Sequence, residues 1–140
     1  MIVKFLDLKT THKEIHEEIH EAILSVVDSG IYIGGDSVND FETSYANYLD
    51  CKYCVGVGNG FDAIKLSLMA LDIKEGDEVI VPSHTFIATW LAVSSLGAIP
   101  VPVEPDVDSF SIDVSKIEPV ITEKTKAIIP VHLYGEPADL

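Results

Sequence analysis

The chain is poor in cysteine, poor in basic residues and free of long apolar runs. Its two cysteines in 140 residues are too few for the disulfide framework of a small secreted scaffold. Nine basic residues face twenty-three acidic ones, giving a net charge of −14. A field of that sign repels nucleic acid and anionic membrane surfaces. It does not forbid a local anion site, because backbone amides can supply one. No stretch approaches the length of apolar residues that a membrane span needs, and Met1–Asp7 lacks the apolar core of a signal peptide. The expectation is a soluble cytoplasmic protein with neither nucleic acid nor membrane as partner.

What is present is core-forming. Hydrophobic residues make up 47% of the chain and mean hydropathy is +0.27, enough for one folded domain with a buried interior. His12–Ser29 reads as a helix, with Ile15, Ile19, Ala22, Ile23 and Val26 at helical spacing and Gly30 as its stop. Ile31–Asp36 reads as a loop carrying Gly34-Gly35. Asp36 or Ser37 can then cap a second helix whose apolar face is Val38, Phe41, Tyr45, Tyr48 and Leu49. From there strands and helices alternate: strand 53–57, helix 62–71, strand 78–81, helix 86–96, strand 99–103, a short helix near 114–120 and strand 126–131. Pro100, Pro102 and Pro105 mark the limits of the third strand or an edge-like position. Such alternation predicts an α/β fold with a doubly wound, mostly parallel sheet. The sequence stops at Gly135–Leu140, just past a strand, so the alternation reads as interrupted rather than finished.

Two strand–loop–helix junctions carry the chemistry. In Val55–Ile64 a strand runs through Gly58-Asn59-Gly60 into a helix. Unpaired N–H groups and the helix dipole make that turn a seat for a phosphate. The turn is not a dinucleotide fingerprint, since in the run from Gly56 Phe61 stands where the spacing would need a third glycine. Its glycines could equally serve only as a tight connection. In Val79–Ala88 a second strand ends at Pro82-Ser83-His84-Thr85, and Phe86 opens the next helix. Ligands of open α/β sheets collect at the carboxyl ends of strands, where an aromatic can stack on a flat ring; Phe86 could instead be core. The two junctions together point to a phosphate-bearing cofactor held between a helix terminus and an aromatic face.

Other patterns have competing readings. His16-Glu17-Glu18-Ile19-His20 matches H-E-x-x-H, which would make a zinc hydrolase of His16, Glu17 and His20. The helix around it is charged and amphipathic, and Ile23 and Val26 stand where a third histidine would be needed. Cys51-Lys52-Tyr53-Cys54 leads into a strand rather than a helix, unlike a redox motif. It reads as two incidental thiols, with Cys54 buried. His132-Leu133-Tyr134-Gly135 follows a strand end, and could face a ligand or hold a satisfied buried hydrogen bond. Asp106 and Asp108 read as a polar turn.

Taken in order along the chain, several segments resemble the DegT/DnrJ/EryC1/StrS sugar aminotransferases, which use pyridoxal 5′-phosphate (PLP). They are Phe5–Leu8, Ser29–Gly35, Gly58–Ala63, Pro82–Thr89 and Ile129–Gly135. The resemblance implies the large domain of a fold-type I PLP enzyme, with residues 1–140 forming N-terminal helices and the first part of that domain. It implies that Gly60, Phe61 and Asp62 hold the PLP phosphate through backbone amides. The family often has threonine at the position of Phe61, so a hydroxyl contact is lost here. By the same resemblance Phe86 stacks on the pyridine ring. Tyr32 and Gly34 lie in a segment near the substrate, often that of a partner subunit, in a homodimer. The Schiff-base lysine and the carboxylate that pairs with the ring nitrogen fall beyond residue 140, and neither Lys65 nor Lys74 stands in the family's lysine context. The reaction implied moves an amino group from an amino acid, typically glutamate, to a nucleotide-linked keto-sugar. Thr85–Trp90 and Val101–Pro105 look closest to enzymes acting on dTDP-3-keto-6-deoxyhexoses. A non-catalytic binding module that kept the cofactor fold without its lysine is the other reading of the same resemblance.

Overall fold

The structure, a computed structural model, describes residues 3–139. Met1, Ile2 and Leu140, which open and close the segments read above, lie outside them. The chain divides into two compact units, Met1–Gly56 and Val57–Leu140.

The first unit is helical. Helix α1 (Leu8–Thr11) is capped by Asp7, whose side chain accepts from the Thr10 amide. The helix predicted from His12 begins later, as α2 (His16–Ser29), because Lys13–Ile15 wind as a tighter 3₁₀ turn. Gly30 ends α2 as expected, in the left-handed region at φ 67°, donating to the Val27 carbonyl. Helix α3 (Asp36–Tyr48) starts from Gly35 without any side-chain cap, so Asp36 is its first residue rather than its cap. The rings of Phe41, Tyr45 and Tyr48 follow one another along α3 at helical spacing. No residue of α2 is buried, so its apolar stripe is left without a covering partner among the described residues. Cys54 is half-buried rather than buried. Residues 53–57 do not form the predicted buried strand: they find no ladder partner among the described residues, and Val55 is 75% exposed. A strand needs a neighbour as much as a propensity.

The second unit holds the α/β alternation. Helix α4 (Gly60–Ala70), strand β1 (Glu78–Pro82), helix α5 (Ile87–Ser94), strand β2 (Ile99–Val103) and strand β3 (Thr125–Ile128) follow in order. The sheet is parallel throughout, ordered β2-β1-β3. The single short helix predicted near 114–120 is two 3₁₀ turns, Val114–Lys116 and Glu118–Val120. Pro119 explains the break, because its ring removes an amide and clashes with the preceding turn. Strand β3 ends sooner than predicted for a related reason. The Ile129 amide still reaches the Ile80 carbonyl at 2.9 Å, but Pro130 has no amide with which to continue. Pro100 and Pro102 lie within β2, which is an edge of this sheet, the position a strand proline demands.

The core follows from the pleat. Val79 and Val81 join Leu68, Ile73, Val93 and Ala98 in one cluster, with Ile64 and Trp90 packed against it. Ile80, pointing the other way, joins Val103, Ile112 and Ile117. Strand β1 is thus covered on both faces, as a central parallel strand must be. The indole N–H of Trp90 donates to the Pro82 carbonyl at 3.2 Å and ties α5 to the end of β1.

Candidate functional site

The first junction is built by a helix start. Asn59, extended, caps α4: its Oδ1 accepts the Asp62 amide at 2.9 Å, and its Nδ2 donates to the Asp62 carboxylate at 2.9 Å. The Ala63 amide closes the first helical turn onto the Asn59 carbonyl. The N–H groups of Gly60 and Phe61 find no acceptor among the described residues. They are the unpaired donors of an eleven-residue helix, aimed from its positive end. A Cβ placed on Gly60 would meet nothing within 4 Å, so the backbone there is open to approach. Of the three residues assigned to phosphate by resemblance, Gly60 and Phe61 present free amides, whereas the amide of Asp62 is taken by the cap. The sequence carried a signal for this: an Asn and an acidic residue three positions apart is the spacing of reciprocal capping.

The second junction lies at the carboxyl end of β1. The Ser83 amide extends the ladder to the Val103 carbonyl at 2.8 Å, and the chain then turns into α5. Phe86 is the N-cap of α5, with extended backbone and no capping hydrogen bond. Phe86 is 76% exposed and so lies outside the cores that the described residues form. Among the described residues of this unit, then, stand two free helix-start amides and an exposed aromatic. A group that couples a phosphate to a flat ring fits that set.

The remaining loops sort into structural and open positions. Asp106 Oδ1 accepts the amides of Asp108 and Ser109 at 3.0 and 2.9 Å, confirming the polar turn. The Ser109 amide, first, and the Asp108 amide hold the Asp106 carboxyl below its ordinary value. Asp113 is held low in the same way by the Ser115 hydroxyl, then by Lys116 at 2.9 Å. His132 Nδ1 accepts the Ala138 amide at 3.0 Å, which gives that histidine a structural partner. Tyr134 instead projects, and meets His84 at 3.4 Å and the ring of Phe110 edge-on. Sequence spacing assigned no common role to His84, Phe110 and Tyr134, and no local signal could have joined loops that far apart.

In the first unit, Tyr32 is exposed and donates from Oη to the Val27 carbonyl at 3.3 Å, and Gly34 holds φ 66°. The His16 and His20 rings stack 6.2 Å apart on the exposed side of α2. Among the described residues no group of three or more His, Cys, Asp or Glu is placed to hold a metal ion, and no helix is long and apolar enough to cross a membrane.

Comparison with known proteins fits this geometry. The DegT/DnrJ/EryC1/StrS aminotransferase family matches over residues 13–140, and the chain belongs to that family. It is 54% identical over 140 residues to the erythromycin biosynthesis sensory transduction protein EryC1 of Saccharopolyspora erythraea, covering 100% of this chain and 38% of that one. It is 51% identical over 138 residues to a dTDP-3-amino-3,4,6-trideoxy-alpha-D-glucose transaminase of Streptomyces venezuelae, covering 99% and 36%. Among solved structures, S. venezuelae DesV in complex with a ketimine intermediate superposes with TM-score 0.91 at 52% identity, over 98% of this chain and 37% of that one. The ntda protein of Bacillus subtilis with bound cofactor PMP gives TM-score 0.88 at 39% identity, over 98% and 32%. The chain therefore spans less than two-fifths of the length of these relatives. The fold-type I class expected from the sequence is the class these neighbours share.

Proposed function

We propose that the polypeptide is a PLP-dependent aminotransferase that moves an amino group from an amino-acid donor, glutamate, to a nucleotide-linked keto-sugar. The observation that carries this reading is the pairing, within one compact unit, of the free Gly60 and Phe61 amides with the exposed Phe86. The names of relatives support the substrate class: two of them, 51% identical to this chain, are dTDP-amino-sugar transaminases. One relative is named for sensory transduction instead, a reading for which this chain's site offers no separate feature.

In this reading residues 1–140 are the N-terminal helices and first part of the large cofactor domain of a cytoplasmic homodimer. Gly60 and Phe61 donate to the phosphate, and the α4 dipole adds to its attraction. Asn59 keeps the helix start in place by capping it, and Asp62 takes part through the cap rather than as a direct donor. Phe86 covers one face of the ring and fixes its plane. Tyr32 and Gly34 contribute to the substrate side. PLP supplies an electron sink for the carbon that gains or loses the amino group. The lysine needed for proton transfer is not provided by these residues: Lys65 lies along α4, and Lys74 sits in an exposed pair with Asp72 at 3.5 Å.

The test is to supply the full-length protein with PLP, glutamate and a dTDP-3-keto-6-deoxyhexose, and to follow 2-oxoglutarate and amino-sugar together. Equal amounts of both are expected. A protein that takes up no PLP, or that releases 2-oxoglutarate without forming amino-sugar, refutes the assignment.

A further inference from the structure

Three loops meet beyond the carboxyl ends of the parallel strands. His84 follows β1, Phe110 follows β2 and Tyr134 follows β3. Their rings form a triangle with centroid separations of 6.4, 6.5 and 6.4 Å, and Phe110 meets Tyr134 edge-on at 86°. With Ser83, Glu104 and Pro105 they line an open cavity of about 560 Å³. That volume lies within the usual range of small-molecule sites, about 300–1,000 Å³.

Two features argue that the cluster exists to meet a ligand. Phe110 and Tyr134 hold φ of 59° and 57°, the left-handed region that bulky L-residues avoid. Packing among the described residues does not bury them, because Phe110 is 49% exposed and Tyr134 80% exposed. Strained non-glycine backbone that displays its side chains, rather than hiding them, belongs to sites more often than to cores.

The lining selects the ligand. The residues that line it here include no lysine or arginine, and Glu104 adds a negative charge. Phosphate, diphosphate and a dicarboxylate amino donor are all disfavoured there. Among the parts of the substrates in the proposed function, on which this step rests, one is neutral: the hexose. Its C–H faces suit aromatic rings, and its hydroxyls suit the Tyr134 hydroxyl, the His84 ring nitrogen and the Glu104 carboxylate. We propose that the His84–Phe110–Tyr134 cleft is the hexose-recognition subsite, which reads the sugar ring of the nucleotide-sugar independently of its diphosphate.

The experiment uses the full-length protein and two probes, dTDP-α-D-glucose and dTDP, titrated calorimetrically. Phe110→Gly and Tyr134→Gly each remove a ring while relieving the positive φ, so folding is expected to be unharmed or improved. The unsubstituted protein should bind dTDP-glucose more tightly than dTDP, and the double variant should lose that preference at least fivefold with dTDP affinity unchanged. Tyr134→Phe, which keeps the ring, should retain most of it. No preference in the unsubstituted protein, a preference that survives both substitutions, or an equal weakening of both probes each overturns the inference. PLP uptake, read from its absorption in the same samples, separates the two claims. Uptake and turnover with an unchanged hexose preference in the double variant sinks the cleft alone. Loss of the preference in a protein that takes up no PLP sinks the aminotransferase reading alone.

Discussion

Phe86→Ala separates affinity from stability. The ring is 76% exposed and the residue makes no capping hydrogen bond. Truncating it removes little buried surface, and substitutions at such positions change stability within about 0.5 kcal/mol. The stack it would make on a pyridine ring is worth about 1 kcal/mol beyond area burial, which converts to roughly a fivefold rise in Kd. In the full-length protein, PLP affinity measured by titration of its absorption should fall by that factor or more, while the thermal midpoint of the PLP-free protein stays within a few degrees. Phe86→Tyr should restore affinity, since the ring face is kept. Unchanged affinity in Phe86→Ala would refute the stacking role. A large fall in the stability of the PLP-free protein would show that Phe86 packs against something, and would refute the argument from exposure.

Ile80 is fully buried in the central strand at 0% exposure, so Ile80→Ala should destabilise by about 2–5 kcal/mol in chemical denaturation; a smaller loss would mean the site collapses around the missing methylenes. Asp113 is held below the ordinary carboxyl range by the Ser115 hydroxyl and then by Lys116, and a depressed carboxyl contributes stability that is complete above its unfolded value and lost as pH falls through its folded one. Thermal midpoints measured from about pH 5 downward should therefore fall less steeply for Asp113→Asn than for the unsubstituted protein, and parallel curves would remove Asp113 from the acid transition. Replacing both His16 and His20 by alanine should leave amino transfer intact and bound zinc unchanged; activity that disappears together with one zinc per chain would revive the metallohydrolase reading.

Where the sequence was legible, the reason was local chemistry. Gly30 stops α2 because it tolerates the left-handed turn there at no steric cost, at φ 67°. The strand expected at 78–81 is β1, and its apolar run lies at the centre of the sheet, covered on both faces. Of the two readings of the β2 prolines, strand limits or an edge-like position, the second fits Pro100 and Pro102, which lie inside β2 at an edge of the described sheet. Residues 53–57 show the limit: Val55 and Val57 have strand propensity, but strand formation depends on a neighbour that no local pattern supplies. The apolar stripe of α2 shows the same limit, since periodicity gives a face and not what covers it.

The site divides along the same line. The Gly58–Asp62 turn is contiguous, so its helix-start amides were readable in order, and even the claim of Asn59 on Asp62 is a three-residue pattern. The aromatic cleft is not contiguous. His84 and Tyr134 are fifty positions apart, and only the parallel register of β1 with β3 brings the ends of those strands side by side. Propensity argues against the conformation as well, because neither phenylalanine nor tyrosine favours the positive φ that Phe110 and Tyr134 adopt. A reading that scores each residue by its own preference must miss such a place. Sequences tend to break local rules where function requires it, so the two exposed, strained rings mark the part of this unit whose shape is set by something other than its own folding.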